Sequence, residues 1–263
     1  MDVQPVVARS RESKNLWKNK IVAAAYLYQQ KAKPYVELLE ATERYIHPRP
    51  HEQWLDLGCG SGRLIKSIWE KSQGQVASII GIDISFAGLI YARDLIKSFR
   101  PPPSIGRVNI LQADFNGTLT KLFRPAAFDG ITAGLSICYM DHWDNVLGKW
   151  VTESYTGLLR EIYVILKKGG SFIFSSCVPN PDFSRIALES WKELFLTWEA
   201  PIRLLAGATM FVHAQWVQRC VRQGRYHFPP LEWVLELLTD IGFSNIEYER
   251  TYANQAWVFH AVK

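Results

Sequence analysis

The sequence predicts an α/β protein with a doubly wound parallel sheet, and three observations lead to this fold class. Short apolar runs alternate with helical segments along most of the 263 residues, as they do in βαβ units. The first apolar run leads into Gly58, Gly60 and Gly62, which suits a tight turn built from residues without a Cβ. The second run ends in Asp83. This length, with 48% hydrophobic and 21% charged residues, fits one domain with an insertion.

The first half of the chain divides into two leading helices and three strands. Residues 21–33 have helical periodicity, and Pro34 begins a second helix that extends to Tyr45. The predicted strands are 53–57, 76–83 and 107–113, and the predicted helices between them are 63–71 and 86–98. The prolines at 101–103 end the second of these helices.

The second half adds two parallel strands, a long insertion and a terminal hairpin. The predicted elements are a strand at 128–134, a helix at 153–166, a strand at 171–176, a helix that ends at 241, and strands at 243–250 and 256–262. A short polar connection joins the last two strands, so we expect them to pair as an antiparallel hairpin. Residues 179–226 are rich in aromatic residues and lack a strand pattern, which predicts a helical lid inserted after the fifth strand.

Charge and cysteine usage exclude several classes of protein. Much of the net charge of +5 lies in residues 1–20, so we expect a flexible basic tail there and a single domain over residues 21–263. The four cysteines have no CxxC spacing, which argues against a metal site and for a reducing cytoplasm. No window has the ~18 apolar residues of a membrane span, and the N-terminus lacks an apolar signal core. We therefore expect a cytoplasmic protein without a transmembrane segment.

The glycine-rich loop and Asp83 predict a site for a nucleoside cofactor. An acidic residue at the end of the neighbouring strand can accept hydrogen bonds from both hydroxyls of a ribose. The spacing G-x-G-x-G is one residue tighter than the G-x-G-x-x-G of dinucleotide sites. Asp56, two residues before the first glycine, would repel a pyrophosphate but suits the positively charged methionyl end of S-adenosylmethionine. A tight turn without a ligand is the alternative for the loop by itself.

Five motifs follow one another along the chain in a recognisable order. They are Asp56-Leu57-Gly58-Cys59-Gly60-Ser61-Gly62, Gly81-Ile82-Asp83-Ile84-Ser85, Leu111-Gln112-Ala113-Asp114-Phe115, Phe128-Asp129-Gly130-Ile131 with Leu135-Ser136-Ile137-Cys138-Tyr139, and Leu166-Lys167-Lys168-Gly169-Gly170-Ser171-Phe172. From about residue 53 to the C-terminus, the chain therefore resembles the class I S-adenosylmethionine-dependent methyltransferases. It is most similar in pattern to their small-molecule group, which includes quinone-biosynthesis enzymes.

This resemblance implies a Rossmann-like sheet of seven strands, with helices on both faces and the last strand antiparallel. It also implies S-adenosyl-L-methionine as the methyl donor, S-adenosyl-L-homocysteine as the product, and no metal. Asp83 would hold the ribose, Asp114 would meet the adenine amino group, and Leu135 would lie beneath the sulfonium. The implied cofactor-binding residues are Asp56, Gly58, Cys59, Gly60, Gly62, Asp83, Ile84, Asp114, Phe115 and Leu135.

The stretch after the fourth strand narrows the class of acceptor. Enzymes that methylate adenine amines or glutamine amides carry a D/N-P-P-Y run there, whereas residues 134–139 of this chain contain no proline. Ile137 precedes Cys138, so the Pro-Cys nucleophile of cytosine C5 enzymes is missing as well. The chain also lacks a strongly basic stripe. We therefore expect a small-molecule acceptor and no nucleic-acid partner.

The predicted lid interleaves aromatic residues with arginines. The apolar residues favour a lipophilic or aromatic acceptor, and the arginines suit an acidic group or a peripheral contact with an anionic membrane surface. An acyl-carrier-bound or free carboxylate is therefore an alternative acceptor. The residues expected to contact the acceptor are Tyr26, Tyr139, Trp198, Phe211 and His213.

The candidate bases are Tyr139, Asp141 and His142, which follow the fourth strand where the acceptor is expected, and His213 in the lid. Of these, Tyr139 and His142 are the candidate catalytic residues. An oxygen or carbon acceptor gains from a general base, whereas a neutral amine does not need one. A nicotinamide-dependent oxidoreductase is the alternative enzyme class, and the glycine spacing together with Asp56 disfavours it. A catalytically silent cofactor-binding module is the other alternative, and the intact glycines and acids argue against it.

Overall fold

A computed structural model describes residues 15–117, 119–190 and 200–263, and within these ranges seven strands form one sheet. The seven strands are β1 Gln53–Leu57, β2 Ser78–Asp83, β3 Val108–Gln112, β4 Phe128–Ala133, β7 Leu166–Cys177, β8 Ser244–Thr251 and β9 Ala256–Val262. Their order across the sheet is β3-β2-β1-β4-β7-β9-β8. A separate small hairpin pairs β5 Trp143–Asp144 with β6 Lys149–Trp150.

Helices lie between the strands and before the first of them. In the described ranges they are α1 Lys20–Gln29, α2 Lys33–Arg44, α3 Arg63–Lys71, α4 Phe86–Ile96, α5 Leu119–Leu122, α6 Glu153–Ile165, α7 Phe183–Glu189, α8 Ala200–Arg222 and α9 Leu231–Ile241. Short 3-10 helices cover Leu16–Lys18 and Ile137–Tyr139.

The pairing of the strands confirms the predicted fold class. β1 lies between β2 and β4 and runs parallel to both, and β2–β3 and β4–β7 are parallel as well. The last strand, β9, is antiparallel to both β7 and β8. The strand order reverses between β1 and β4, and ligands of open α/β sheets bind beyond the carboxyl ends of the strands at such a point.

Two apolar layers cover the two faces of the sheet. Successive residues of β1 alternate between them: Trp54 packs in the layer that contains α3, and Leu55 packs in the layer that contains α6 and α9. This alternation follows from the two-residue period of a strand. The central strands are therefore buried on both sides, which explains why β1, β2 and β4 are mostly apolar, whereas β3 and β8 have exposed residues.

The strand before the lid begins earlier than the sequence predicts. Residues 167–170 were expected to end a helix, but they belong to β7. The Gly169 amide donates to the Lys263 carbonyl at 2.7 Å, and the Lys263 amide donates to the Gly170 carbonyl at 3.1 Å. Pairing with the end of the chain therefore extends this strand, an effect that no local pattern can reveal.

Helices α7 and α8 follow β7, in the region predicted to be a lid. α8 packs along α1 and also contacts α7. No helix within the described ranges combines the length and hydropathy that a membrane span requires. Trp198 and most of the basic tail lie outside the described residues. The role of residues 179–226 as a cap, and the boundary between tail and domain, stay predictions.

Candidate active site

A cavity of about 950 Å³, open to solvent, lies at the carboxyl ends of the central strands. Its lining comes from the loop after β1, the end of β2, residues 114–116 after β3 and residues 134–141 after β4. The N-terminal segment completes it with residues 15, 17, 23, 26 and 27. This is the place at which the reversal of strand order creates a crevice.

Two glycines of the loop after β1 are needed for different reasons. Gly58 has a φ of +70°, and a Cβ there would lie 2.3 Å from the Cβ of Ser136. Gly60 has a φ of +49°, and no atom lies within 4 Å of the position that its Cβ would take. Gly58 therefore permits close packing against the end of β4, whereas Gly60 exposes bare backbone to the cavity. Gly62 lines no part of the cavity and caps α3 instead.

Asp83 connects the ends of the first two strands. Its Oδ2 accepts a hydrogen bond from the Gly60 amide at 2.7 Å, and its Oδ1 accepts one from the Ser85 amide at 2.6 Å. Burial raises the pKa of this carboxyl, and the two backbone hydrogen bonds partly offset that rise. Each carboxylate oxygen keeps further lone-pair capacity on the cavity side. The group can therefore accept hydrogen bonds from two neighbouring hydroxyls of a ligand.

Asp56 lies behind the loop, outside the cavity lining. Its side chain is 1% exposed, and its Oδ1 accepts a hydrogen bond from the Thr132 hydroxyl at 2.8 Å. No donor among the described residues reaches its Oδ2. Burial raises the pKa of Asp56 to about 7. Cys59 is buried as well and does not line the cavity. Direct contact of these two residues with a cofactor stays a prediction.

Four other predicted cofactor-binding residues line the cavity. Ile84 follows β2, while Asp114 and Phe115 follow β3. The Oδ1 of Asp114 accepts a hydrogen bond from the Asn116 amide at 3.0 Å. Leu135 has a φ of +47°, which is uncommon for a residue with a Cβ. Its amide donates to the Ser175 hydroxyl at 2.9 Å, so the end of β4 is fixed at the edge of the cavity.

Trp17, Tyr26 and Tyr139 line the cavity and contact one another, and we call these three residues the aromatic wall. The Trp17 ring centroid lies 5.7 Å from that of Tyr26 and 5.0 Å from that of Tyr139. Burial raises the pKa of the Tyr139 phenol well above its ordinary value, so this phenol is neutral at physiological pH. The wall is linked to the loop, since the Ser61 hydroxyl donates to Gln30 at the end of α1 at 2.8 Å.

Trp17 lies within residues 1–20, for which the charge pattern predicts a flexible tail, so the sequence does not indicate it as a site residue. The Asn15 side chain accepts a hydrogen bond from the Trp17 amide at 3.0 Å and so starts the 3-10 helix that holds the indole. An asparagine just before an apolar pair is a capping signal. This signal was available in the sequence, although nothing local indicates that the indole reaches the cavity.

The other predicted acceptor and catalytic residues lie apart from the cavity. His213 packs against Trp17, with ring centroids 4.3 Å apart, and does not line the cavity. Burial lowers the pKa of His213 to about 4. Phe211 faces a second groove between α1, α7 and α8. His142 is exposed, and its carbonyl accepts a hydrogen bond from the Val151 amide. Of the candidate catalytic pair, only Tyr139 therefore lines the cavity.

The described residues contain no group of three or more His, Cys, Asp or Glu suited to a metal ion. A family model described as a methyltransferase domain matches residues 48–224, which is more than half of the chain. The chain belongs to this methyltransferase family. The matched range contains the glycine loop, Asp83, Asp114 and Tyr139.

One curated relative of this methyltransferase is an O-methyltransferase from Pyrenophora dematioidea. The two are 28% identical over 162 residues, which cover 60% of this chain and 51% of the relative. The chain thus spans about half the length of the curated relative that it matches.

Two solved structures share the fold of this methyltransferase. A putative S-adenosyl-L-methionine-dependent methyltransferase from Methanococcus maripaludis has a TM-score of 0.57 and 16% identity, covering 97% of each chain. Phosphoethanolamine N-methyltransferase 2 from Haemonchus contortus, solved with S-adenosyl-L-methionine, has a TM-score of 0.57 and 16% identity. The match covers 92% of this chain and 56% of the Haemonchus contortus chain. At these identities the likeness concerns the fold.

Proposed function

We propose that this methyltransferase transfers a methyl group from S-adenosyl-L-methionine to a small, lipophilic or aromatic acceptor. The observation that carries the proposal is that Gly60, Asp83 and the aromatic wall line the same cavity. The lining contains groups that a nucleoside needs, and it also contains aromatic rings and a neutral phenol.

The residues of the cavity fit the proposed cofactor. The Asp83 carboxylate would accept hydrogen bonds from both ribose hydroxyls while it holds the Gly60 amide. Asp114 would accept from the adenine amino group, and Phe115 and Ile84 would pack beside the adenine ring. Bare backbone at Gly60 allows the methionyl portion to approach the loop. When bound, the cofactor supplies a methyl group on sulfur that is already activated for transfer.

The remaining task of the protein is to position the acceptor and to exclude water. Positioning two reactants in line can supply much of a rate enhancement. Trp17, Tyr26 and Tyr139 present ring faces, and such faces also attract a positively charged sulfonium. Because the pKa of Tyr139 is raised, its phenol can donate a hydrogen bond to the acceptor but is not a resting base. The part that His142 would take in proton transfer stays a prediction.

The lid region supports an apolar acceptor. Several exposed apolar side chains occur between residues 202 and 212 of α8. Leu205 and Val212 have the largest exposed fractions among them. This surface, which we call the α8 apolar face, consists of Ile202, Leu204, Leu205, Phe211 and Val212. It suits the passage of a lipophilic molecule or a peripheral contact with a membrane. An acyl-carrier-bound carboxylate is the alternative acceptor.

Calorimetry of the purified chain with S-adenosyl-L-homocysteine tests the cofactor assignment, with NADH as the control ligand. We expect saturable binding of the first and none of the second. Incubation with methyl-labelled S-adenosyl-L-methionine and a panel of phenols, amines and carboxylates then tests transfer. Binding of NADH alone would favour an oxidoreductase. Cofactor binding without transfer to any acceptor would favour a silent binding module.

A further inference from the structure

We propose that Asp141 recognises the acceptor by accepting a hydrogen bond from it, and that Arg225 positions Asp141 for this task. The acceptor then carries a hydroxyl or an amine at its reacting end and not a carboxylate. This inference rests on the proposed function, because it names the chemical class of the acceptor within the same cavity.

Asp141 lines the same cavity as the aromatic wall, and it follows the 3-10 helix that carries Tyr139 by two residues. Its side chain keeps 28% exposure, so the carboxylate can meet a ligand. Its backbone carbonyl accepts a hydrogen bond from the Asn116 side chain at 2.6 Å. That bond ties the segment after β4 to the segment after β3. The position of the carboxylate is therefore fixed from the backbone side.

Arg225 fixes the same carboxylate from behind. Its Nε donates to the Asp141 Oδ2 at 2.7 Å, and its side chain is only 6% exposed. The guanidinium carbon lies 5.2 Å from the Trp150 ring centroid, 5.6 Å from that of Trp216 and 5.1 Å from that of Tyr226. Three aromatic rings and the ion pair thus hold this cation in place, and Arg225 does not line the cavity itself.

The arrangement leaves one carboxylate oxygen for the ligand. Oδ2 of Asp141 is engaged by Arg225, and among the described residues no donor reaches Oδ1. An ionised carboxylate can only accept hydrogen bonds. The matching group on the acceptor must therefore be a donor, such as a phenol, an alcohol or an amine.

The same geometry disfavours a carboxylate acceptor. No lysine or arginine occurs among the described residues that line the cavity. An acceptor carboxylate beside Asp141 would add a second anion next to a cation that is already paired, and like charges at close range are strongly unfavourable. The cavity lining therefore disfavours an acyl-carrier-bound carboxylate as the acceptor.

The test compares three probes that share one aromatic ring system: 2-naphthol, 2-naphthylamine and 2-naphthoate. Their dissociation constants are measured by calorimetry on the complex of the full chain with S-adenosyl-L-homocysteine. We expect the naphthol or the naphthylamine to bind at least about 10-fold more tightly than the naphthoate, the size of one hydrogen bond to a charged group. In Asp141→Asn this preference is expected to shrink to about 3-fold or less, because the charge is gone.

Arg225 is tested as a positioning residue through the same ratio of dissociation constants. Arg225→Met should lower the preference for the donor probes, because it releases the Asp141 carboxylate, whereas Arg225→Lys should retain part of it. A purely structural role would lower the unfolding temperature and leave the ratio unchanged. Removing one charge of a buried pair can prevent folding. The double variant Asp141→Asn/Arg225→Met removes both charges and is expected to fold and to show no preference.

Binding of S-adenosyl-L-homocysteine, measured first, separates the two proposals. Its absence would contradict the proposed function itself. If it binds, equal affinity for naphthol and naphthoate, or no binding of any probe, overturns the assignment of Asp141. The assignment is also overturned if Asp141→Asn binds S-adenosyl-L-homocysteine more weakly but keeps the wild-type ratio of dissociation constants for the probes. Asp141 would then contact the cofactor and not the acceptor.

Discussion

The backbone amide of Gly60 donates a hydrogen bond to the Asp83 carboxylate, at 2.7 Å and across 23 residues of sequence. The residue that would hold the ribose thus also holds the loop that faces the methionyl portion. The Ser85 amide occupies the second oxygen of the same carboxylate. Loop conformation and cofactor recognition therefore depend on one group.

We predict that Asp83→Asn lowers affinity for S-adenosyl-L-homocysteine by roughly 10- to 100-fold, the effect of one weakened hydrogen bond to a charged group. The Gly60 and Ser85 amides donate to different oxygens of the carboxylate, so in asparagine one of these two donors would face the NH2 group, which cannot accept. Calorimetry measures the change. Asp94→Asn, on the exposed surface of α4, is the control and should leave the affinity unaltered. An Asp83→Asn affinity within twofold of the wild type would argue against the ribose role.

Alanine at Gly58 and at Gly60 should have different effects. Gly58→Ala introduces a 2.3 Å approach to Ser136 as well as an unfavourable φ, so we expect a loss of stability of roughly 2–4 kcal/mol. Gly60→Ala meets no atom within 4 Å, so only about 1 kcal/mol of backbone strain is expected.

Urea unfolding measures both stabilities, and calorimetry with S-adenosyl-L-homocysteine measures binding. The methyl group at residue 60 points into space that the cofactor would use, so Gly60→Ala should bind it poorly although it folds well. A Gly60→Ala protein that is as unstable as Gly58→Ala would refute this division of roles.

The buried Asp56 should make the cofactor-free protein less stable as the pH rises. Its pKa is about 7 when folded and near the ordinary value of 3.8 when unfolded, so the folded state binds more protons between these values. The stabilisation from the protonated form is complete below about pH 4 and is lost by about pH 7. Asp56→Asn should therefore gain roughly 1–3 kcal/mol over the wild type at pH 8 and much less at pH 5.

Urea unfolding at the two pH values tests this expectation. The substitution preserves an oxygen that can accept from the Thr132 hydroxyl, so the comparison isolates the charge. A variant that is less stable than the wild type at pH 8 would show that another group compensates the Asp56 charge.

Trp17 should report on cofactor binding, since its indole forms part of the cavity wall. The chain has 10 tryptophans, so the assignment requires a difference measurement. We expect S-adenosyl-L-homocysteine to change the emission of the wild type, and Trp17→Phe to lose most of that change at similar affinity. Trp143→Phe, in the separate hairpin, should retain it. The same response in both variants would place the indole away from the ligand.

The α8 apolar face predicts weak binding to membranes. We expect the protein to float with vesicles that contain phosphatidylserine, and Leu205→Gln/Val212→Gln to float less, because about 25 cal/mol is lost for each Å² of apolar surface withheld from lipid. Ile105→Gln removes an even more exposed apolar side chain from the loop before β3 and serves as the control. Equal flotation of all three proteins would contradict a membrane role for this face.

The sequence predicts the seven strands of the sheet well, because most of them are apolar runs bounded by glycine, proline or an acidic residue. The largely polar β8 is the exception, and it is predicted from the short connection that joins it to β9. It misses the hairpin at 143–150, whose strands have only two residues each and therefore show no periodicity. The earlier start of β7 is also missed, because it depends on pairing with Lys263, far along the chain.

The candidate site likewise contains residues that the sequence predicts and residues that it does not. Gly60, Asp83 and Asp114 are predicted because their motifs are local and their chemistry is specific. The pair of Asp141 and Arg225 is 84 residues apart in sequence, and nothing near either residue indicates the other. The carboxyl of Asp56 is buried against the Thr132 hydroxyl, a partner on β4 that no local pattern indicates, and its contact with the cofactor stays a prediction.

Two of the three residues of the aromatic wall lie outside the range that matches the methyltransferase family, whereas the glycine loop lies inside it. Trp17 and Tyr26 precede residue 48, where the match to the family begins, whereas Gly60 and Asp83 lie within it. Substitutions of Trp17 and Tyr26 are therefore expected to change the proposed acceptor contacts while the residues of the glycine loop stay unaltered. A library randomised at these two aromatic positions would be a direct route to enzymes with new acceptors and an unchanged methyl donor.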